Sequence, residues 1–147
     1  MIAMTLRIRK VSGAEKRDAK LFAGKEWKRV RSDIGYEWRE KKRSFAAVEG
    51  GRTVGYAKMN MHGGMAELMQ LIVSKKARGR GGGDRLLKEF EAEARRGKCH
   101  VLMIHTSERH SDAVKFYLRR GYRIAAEFKD NMFHFTWYYL EKKMRKK

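Results

Sequence analysis

The sequence predicts one α/β (α+β) domain with a mixed, mostly antiparallel sheet, and three observations support this class. Segments that alternate apolar and polar residues, typical of strands, recur through the middle and the end of the chain. Segments with helical spacing separate them, and the continuous apolar run 101–104 indicates an interior strand covered on both sides. The 147 residues contain no proline and no low-complexity linker, so we expect a single domain over residues 1–147.

The first part of the chain is expected to hold a strand and two helices. Residues 6–11 alternate apolar and basic side chains, as a half-buried strand does. Ser12 can cap a helix over 14–22. Gly24 then separates this helix from a second one over 25–38, which is basic and carries three aromatic residues.

Beyond residue 43 the sequence alternates between strands and helices, with turns expected at Gly50-Gly51, Gly63-Gly64, Gly97 and Gly121. In all we expect about seven strands and about four helices, followed by a basic tail over 142–147 that frays. One helix presents a single apolar face, formed by Leu86, Leu87, Phe90 and Ala94. The expected elements are strands over 44–49, 53–60, 65–73, 101–104, 122–128 and 133–141, and helices over 84–96 and 111–120.

Positive charge is the strongest feature of the composition. The chain has 36 lysines and arginines against 17 aspartates and glutamates, a formal net charge of +19. Such a field attracts phosphate groups, whether of nucleic acid or of a polyphosphate cofactor. A surface that serves only solubility is the alternative.

Several classes of protein are excluded by what the sequence lacks. Cys99 is the only cysteine, so there is no intrachain disulfide and no cysteine-cluster zinc site. The five histidines lack ligand spacing, and we expect no structural metal. No apolar run approaches the roughly 20 residues of a membrane helix, and the opening residues lack a signal-peptide core, so we expect a soluble cytoplasmic protein.

A glycine-rich loop joins a predicted strand directly to a predicted helix. Residues 79–83 read Gly-Arg-Gly-Gly-Gly and follow Arg78. Glycines let the backbone approach a ligand closely and turn several N–H groups into one concavity, while the helix N-terminus adds its dipole. With the charges of Arg78 and Arg80, the segment predicts a pyrophosphate-binding loop. A flexible surface turn is the alternative.

The spacing of the loop excludes two common phosphate-binding motifs. A Walker loop requires Gly-Lys-Ser/Thr at the start of the helix, where this chain has Gly83, Asp84 and Arg85. A dinucleotide fingerprint that starts at Gly79 needs a small residue in place of Asp84. Such a fingerprint also belongs to the first strand and helix of its fold, whereas this loop lies in the middle of the chain.

Two spaced motifs resemble the GNAT superfamily of N-acetyltransferases. The pattern Arg-x-x-Gly-x-Gly at Arg78, Gly81 and Gly83 resembles the acetyl-CoA loop of that family. The strand 66–73 ahead of it is similar to the family's central strand. The second motif, similar to the helix and strand that follow the interior strand in that family, reads Ala113-x-x-Phe116-Tyr117-x-x-x-Gly121-Tyr122.

The resemblance implies a GNAT-like fold with a central parallel strand pair, and transfer of an acetyl group from acetyl-CoA to an amine. It is specific over 65–122 and topological over 1–60. Two positions depart from the pattern: Lys75 stands where many relatives have proline, and His110 where an asparagine often contacts the cofactor. The predicted cofactor-binding residues are Leu71, Ile72, Val73, Arg78, Gly79, Arg80, Gly81, Gly82, Gly83, Asp84 and His110.

Glu67 is the predicted general base. An alkyl ammonium has a pKa near ~10, so a base must take a proton before the amine attacks at neutral pH. Odd positions of the strand put Glu67 on one face with Met69, Leu71 and Val73. Six residues of strand, roughly 20 Å, separate Glu67 from Val73, a span that an extended pantetheine arm covers.

By its distance before Arg78, Glu67 also resembles the catalytic glutamate of the histone-acetylating branch. A glutamate that only forms hydrogen bonds at a strand start is the alternative.

Tyr117 is the predicted general acid. Its ring shares a helix face with Ala113 and Phe116, and its hydroxyl can reach a cavity. The resemblance implies that it protonates the departing CoA thiolate, whereas a packing role is the alternative. Backbone N–H groups near Met69 and Leu71 are expected to stabilise the oxyanion.

Cys99 invites a two-step reaction through an acetyl-cysteine, but the expected topology argues against it. A right-handed crossover makes the strands 65–73 and 99–106 parallel, with the glycine loop at their carboxyl ends. Cys99 would then lie at the opposite end of its strand. We therefore expect direct attack of the amine in a ternary complex.

Two other functions are compatible with the sequence. Trp27, Tyr36 and Trp38 lie among basic residues, as in modules that stack on and neutralise nucleic acid, although amphipathic helices have the same composition. A GNAT fold that senses acyl-CoA without turnover is the other. The sequence leaves the acceptor open between a small amine, a protein N-terminus and a lysine, and predicts a monomer or homodimer with at most non-specific nucleic-acid association.

Overall fold

The structure is a computed structural model that describes residues 5–145. These residues fall into two compact units, the first ending at Trp38 and the second beginning at Arg39. In the first unit, residues 5–12 have no regular structure and helix α1 spans Gly13–Ile34. No helix within residues 5–145 combines the length and the apolar character that crossing a membrane requires.

The first unit differs from the sequence prediction in two ways. Residues 6–11 do not form the expected strand, because a strand is stable only where a neighbour satisfies its backbone hydrogen bonds. The two helices expected on either side of Gly24 are one helix, since an interior glycine costs about 1 kcal/mol relative to alanine without ending the helix. Ser12 occupies the N-cap position, although its side chain forms no capping hydrogen bond, and Gly35 ends the helix in a left-handed conformation at φ 82°.

The second unit contains a six-stranded sheet and two helices. Neighbouring strands are antiparallel except β3 and β4, which confirms the predicted mixed sheet and its parallel pair. The described residues hold six strands and three α-helices, against about seven and four expected. In the spatial order β1-β2-β3-β4-β6-β5, the strands are β1 (Lys41–Glu49), β2 (Arg52–His62), β3 (Met65–Val73), β4 (Val101–Ser107), β6 (Trp137–Lys143) and β5 (Arg123–Phe128); the helices are α2 (Gly82–Arg96) and α3 (Ser111–Leu118).

Strand β6 begins and ends later than the sequence predicted. Its expected first residues form a 3-10 turn over Met132–His134, in which Phe133 adopts a left-handed conformation at φ 59°. The strand then continues to Lys143, so the first two residues of the tail expected to fray belong to the sheet. The Lys142 ammonium is held there by the carboxylate of Glu91 at 3.0 Å. Residues 146 and 147 of that tail lie outside the described residues.

Helix α2 covers one face of the sheet because its apolar residues recur at helical spacing. The predicted apolar face is buried: Leu86, Leu87, Phe90 and Ala94. It joins a core to which the strands contribute Met59, Leu68, Leu102 and Leu140. Each of the larger of these side chains contributes about 1.5–3 kcal/mol by its burial. This packing fixes where the N-terminus of α2 lies against the sheet.

A β-bulge interrupts the regular alternation of β3. Lys58 of β2 pairs with Gln70 and Met59 pairs with Leu68, so Met69 is an extra residue without a partner. Before the bulge, the even positions of β3 face the core; after it, the odd positions Leu71 and Val73 pack against the core. The expectation that Glu67 shares a face with Leu71 and Val73 is therefore wrong. Glu67 faces the other side of the sheet.

Candidate active site

The glycine loop leads from β3 into the first turn of α2. Gly79 and Gly81 adopt left-handed conformations at φ 79° and 82°, which residues with a Cβ rarely adopt. Gly81 is the N-cap of α2 and provides no side-chain cap, and the N–H of Arg85 donates to its carbonyl. The first N–H groups of α2 therefore have no side-chain acceptor. Such N–H groups, together with the helix dipole, suit an anion, so this end of α2 is a candidate anion site.

The loop keeps this site open because its glycines have no side chains. A Cβ on Gly82 would contact Val73 at 3.7 Å, and one on Gly83 would contact the ring of Phe116 at 3.6 Å. These residues surround a cleft of about 360 Å³ that includes Arg78 and Arg120. A longer side chain at either glycine would extend into the space that the cleft now leaves for a ligand.

The two arginines of the loop play different parts. Arg78 lines the cleft and its Nε–H donates to the carbonyl of Val73 at 3.2 Å. Arg80 is not among the residues that line the cleft; it forms an ion pair with Glu49 of β1 and donates to the carbonyl of Lys76. Arg78 is therefore placed to meet an anion, and Arg80 braces the loop against β1.

Asp84 is the one acidic residue at this end of α2. Lys88 lies 2.8 Å from one of its oxygens, and Arg120 Nε–H donates to the other at 2.9 Å. Hydrogen bonds from Lys88 and Arg120 hold the pKa of Asp84 below its ordinary value. The guanidinium of Arg120 also stacks on the ring of Phe116, 3.7 Å from its centre. The carboxylate is thus neutralised by two cations rather than left to repel an anion.

The cleft at the glycine loop continues into a longer groove along β3. A cleft of about 600 Å³ shares Val73, Arg78, Gly83 and Phe116 with the loop cleft and extends to the N-terminus of α3. Its other lining residues come from β3 and from the segment before and within α3: Leu71, Ile72, Arg109, His110, Ser111, Asp112, Ala113 and Tyr117. Of the predicted cofactor-binding residues, all but Arg80 line one of these two clefts.

The groove ends where β3 and β4 separate. Their ladder holds from Met65 with Val101 to Leu68 with Ile104 and goes no further in the described chain. Beyond this point a third cleft of about 500 Å³ opens between the two strands, and it includes His105 of β4 and Tyr117 of α3. The groove thus reaches the gap between the strands, next to the face of the sheet that carries Glu67.

Tyr117 stands at the junction of the groove. It lines both the 600 Å³ cleft and the cleft between the strands, and it is buried. Its ring packs edge-on against Phe116 and Tyr122, with centres 5.2 and 5.8 Å apart. Burial raises the pKa of Tyr117 to about 12. The phenol therefore keeps its proton throughout the neutral range.

Glu67 lies in a polar row on the other face of the sheet. Its strand neighbour is Asn60 of β2, and its carboxylate oxygen Oε1 lies 3.5 Å from Nδ1 of His105 on β4. Tyr139 of β6 packs edge-on against His105 at 4.8 Å between ring centres. Burial, together with the charges of Glu67 and Glu141, raises the pKa of Tyr139.

The structure adds residues that the sequence argument missed. Four residues that line the groove were not among the predicted catalytic or cofactor-binding residues: His105, Arg109, Ser111 and Asp112. Only the pairing register of β3 with β4 reveals His105, because neither residue spacing nor a motif links it to Glu67. Cys99, in contrast, is buried just before β4, at the end opposite the groove, as expected.

A parallel strand pair that separates beside a glycine-rich helix N-terminus suits an enzyme whose phosphate-bearing cosubstrate lies along a strand. The sequence model of the acetyltransferase (GNAT) family matches residues 13–122. This is most of the chain, and the chain belongs to that family, which confirms the resemblance of its motifs. It is an N-acetyltransferase, and acetyl-CoA is its acetyl donor. No curated protein matches the sequence significantly.

Solved structures share this fold at low sequence identity. An acetyltransferase from Bacillus cereus is 19% identical, with a TM-score of 0.75 over 95% of this chain and 98% of that one. A ribosomal-protein-alanine N-acetyltransferase from Brucella melitensis is 23% identical, with a TM-score of 0.63 over 84% and 78%. A streptothricin acetyltransferase from Bacillus anthracis, in complex with acetyl coenzyme A, is 20% identical, with a TM-score of 0.67 over 71% and 63%.

Proposed function

We propose that this chain transfers the acetyl group of acetyl-CoA directly to a primary amine, with Glu67 as the general base and Tyr117 as the general acid. The observation that carries the proposal is the continuity of the groove, from the glycine loop along β3 to the gap between β3 and β4. Bound acetyl-CoA supplies the activated thioester. Residues of the chain hold its phosphates, align its arm and move the protons.

The first turn of α2 and Arg78 would hold the diphosphate. Three features support this fit: helix N–H groups without a side-chain cap, glycines that line the cleft without side chains, and Arg78 at its rim. The carboxylate of Asp84 is neutralised by Lys88 and Arg120, so it does not oppose a bound phosphate.

The free edge of β3 would align the cofactor arm. Residues 69–73 have no partner on β4, so the backbone groups on that edge are available to amide groups of a pantetheine arm, apart from the Val73 carbonyl that Arg78 holds. The bulge at Met69 sets this segment apart from the paired half of the strand. Backbone N–H groups near Met69 and Leu71 would stabilise the negative oxygen that forms during transfer.

Tyr117 would protonate the departing thiolate. Its raised pKa, about 12, keeps the phenol protonated at neutral pH, which is the state that a general acid requires. A CoA thiolate resembles the cysteine thiolate, whose pKa is about 8.5, so it is the stronger base and accepts the proton.

Glu67 would accept the proton of the acceptor amine. It lies at the last paired segment of β3, one register position from the point where the strands separate, and on the face opposite the core. Its side chain is 25% exposed, so a proton taken there can pass to solvent between turnovers.

Two measurements test the proposal. Acetyl-CoA should raise the melting temperature, and dephospho-CoA should do so less. Release of free CoA should then be followed with a panel of primary amines: alaninamide, lysine amide, spermidine and an aminoglycoside. An unchanged melting temperature at millimolar acetyl-CoA would refute the cofactor site. Binding without CoA release for any amine would point to the acyl-CoA sensor instead.

Three sequence predictions stay predictions: a cytoplasmic location, a monomer or homodimer, and non-specific association with nucleic acid. The last follows from the net charge of +19. Binding driven by counterion release should weaken steeply as salt concentration rises, whatever the nucleotide sequence.

A further inference from the structure

His105 occupies the position where the groove meets the far face of the sheet. Ile104 closes the β3–β4 ladder, and His105 is the next residue of β4, at the mouth of the gap. It lines the cleft between the strands together with Tyr117, whereas Glu67 is not among the lining residues of that cleft. An amine that reaches the thioester through the gap therefore meets His105 before Glu67.

Two neighbours fix the imidazole of His105. Its Nδ1 lies 3.5 Å from Oε1 of Glu67 on β3. The ring of Tyr139 on β6 packs against it edge-on, and the Tyr139 hydroxyl points to the sulfur of Met65 at 3.8 Å. Nδ1 is the ring nitrogen close to the carboxylate, so the neutral tautomer with its proton on Nδ1 is favoured and leaves the lone pair of Nε2 free.

We propose that His105 takes the proton from the acceptor ammonium and passes one on to Glu67; this inference rests on the proposed function and deepens it. One N–H bond of the ammonium breaks and its proton binds Nε2 of His105. The Nδ1–H bond breaks and that proton binds Oε1 of Glu67. The products are a neutral amine with a free lone pair, a neutral imidazole of the other tautomer and a neutral carboxyl group. His105 is then a catalytic residue, and Glu67 acts through it.

The surroundings of His105 contain few other groups that titrate. Glu67 faces it from β3, Tyr139 from β6, and Tyr117 and His110 share the lining of its cleft. Tyr117 and Tyr139 have raised pKa values and do not change charge near neutrality. The side chain of His105 is 44% exposed, so the transferred proton can pass to water after each turnover.

The test combines the tautomer of His105 with chemical rescue. In the intact protein at neutral pH, nitrogen NMR should show Nδ1–H as the major tautomer. His105→Ala should still show the acetyl-CoA melting shift. Its kcat/KM with the best amine of the panel above should fall by roughly 10²-fold, the usual contribution of a positioned base. Added imidazole should raise the kcat/KM of His105→Ala at least about tenfold, because it can enter the space that the missing side chain leaves.

A second histidine–carboxylate pair provides the control. His134 lies 2.7 Å from Asp130, and both side chains are exposed. His134→Ala should keep the wild-type rate and show no response to imidazole. Full activity of His105→Ala, or an Nε2–H tautomer in the intact protein, would overturn the relay while leaving the proposed function in place. A wild-type protein that binds no acetyl-CoA and acetylates no amine would instead refute the proposed function.

Discussion

The two ends of the groove are built from different parts of the chain. At the loop end, one continuous segment provides the site, and most of its groups belong to the backbone: the left-handed glycines and the first N–H groups of α2. At the strand end, the groups are side chains from separate strands. Glu67, His105 and Tyr139 come together only because β3, β4 and β6 lie side by side.

Because of this difference, substitutions should affect cofactor binding and catalysis separately. A backbone site depends on local spacing, so substitutions that add side chains should destroy it outright. A side-chain site depends on registers between distant segments, and single substitutions should remove one function at a time while cofactor binding persists. Variants at the two ends should therefore fail in different ways.

The largest effect is expected at the loop end. Gly81→Asp combined with Gly83→Asp puts two carboxylates where phosphates would bind and forces a side chain onto a left-handed residue. Loss of two charge-assisted hydrogen bonds, about 1.5–3 kcal/mol each, should raise the Kd for acetyl-CoA by a factor on the order of 10³. Isothermal titration calorimetry measures this directly.

The control for strain and charge is Gly51→Asp. Gly51 also has a positive φ, 73°, with open space around it, but it lies in the β1–β2 hairpin. It should lose similar stability per substitution and keep its affinity for acetyl-CoA. Equal loss of affinity in both variants would mean that the loop glycines matter only for folding.

The next effect concerns the base at the strand end. Glu67→Gln keeps the size of the side chain but cannot take a proton, so the rate at neutral pH should fall by roughly 10²-fold with unchanged acetyl-CoA affinity. The deficit should shrink as pH rises towards 10, because the amine then arrives neutral. Steady-state rates between pH 6 and 10 at saturating acetyl-CoA measure it. A wild-type rate across that range would exclude Glu67 from proton transfer.

Two adjacent buried tyrosines should separate chemistry from stability. Tyr117→Phe removes the proposed acid, so turnover should fall by roughly 10²-fold, and raising the pH should not restore it. Tyr122→Phe removes a hydrogen bond of 3.0 Å to Glu91, so it should cost about 1.5–3 kcal/mol of stability and leave turnover unchanged. Urea unfolding and CoA release, measured on both variants, distinguish these roles. Reversed outcomes would assign Tyr117 to packing.

The smallest effect is expected at Asp84. Because its pKa is lowered in the folded state, it contributes stability above its unfolded pKa of about 3.9, and that contribution is lost as pH falls through the folded pKa. Asp84→Asn should therefore lower the melting temperature slightly at pH 6 and flatten its decline below pH 4. If the melting temperatures of the two proteins changed in parallel with pH, the contacts of Asp84 with Lys88 and Arg120 would contribute nothing to stability.

The loop end could be predicted from the sequence, and the strand end only in part. The glycine spacing and the helix face from Leu86 to Ala94 follow from local patterns, and the parallel pair follows from the crossover topology; the structure has each of them. Arg80 does not line the cleft as predicted, because it forms an ion pair with Glu49, which is 31 residues away in the sequence. Sequence spacing contains no information about such a distant competitor.

One residue explains why the sequence pattern predicts the wrong face of β3 for Glu67. Strict alternation put Glu67 with Leu71 and Val73, but the extra residue Met69 exchanges the faces halfway along β3. A bulge adds a residue without changing composition, so periodicity cannot locate it. The partnership of Glu67 with His105 also depends on the register of β3 against β4, which forms across 38 residues of chain.

The place of β6 in the sheet has a consequence for synthesis. This strand lies between β4 and β5, although it follows both in the chain. While the ribosome is still making the protein, the outer edge of β4 stays unpaired, and its unsatisfied backbone groups can recruit another nascent chain. Active enzyme therefore appears only after β6 has emerged. A premature stop within β6 should give insoluble protein rather than a slow enzyme.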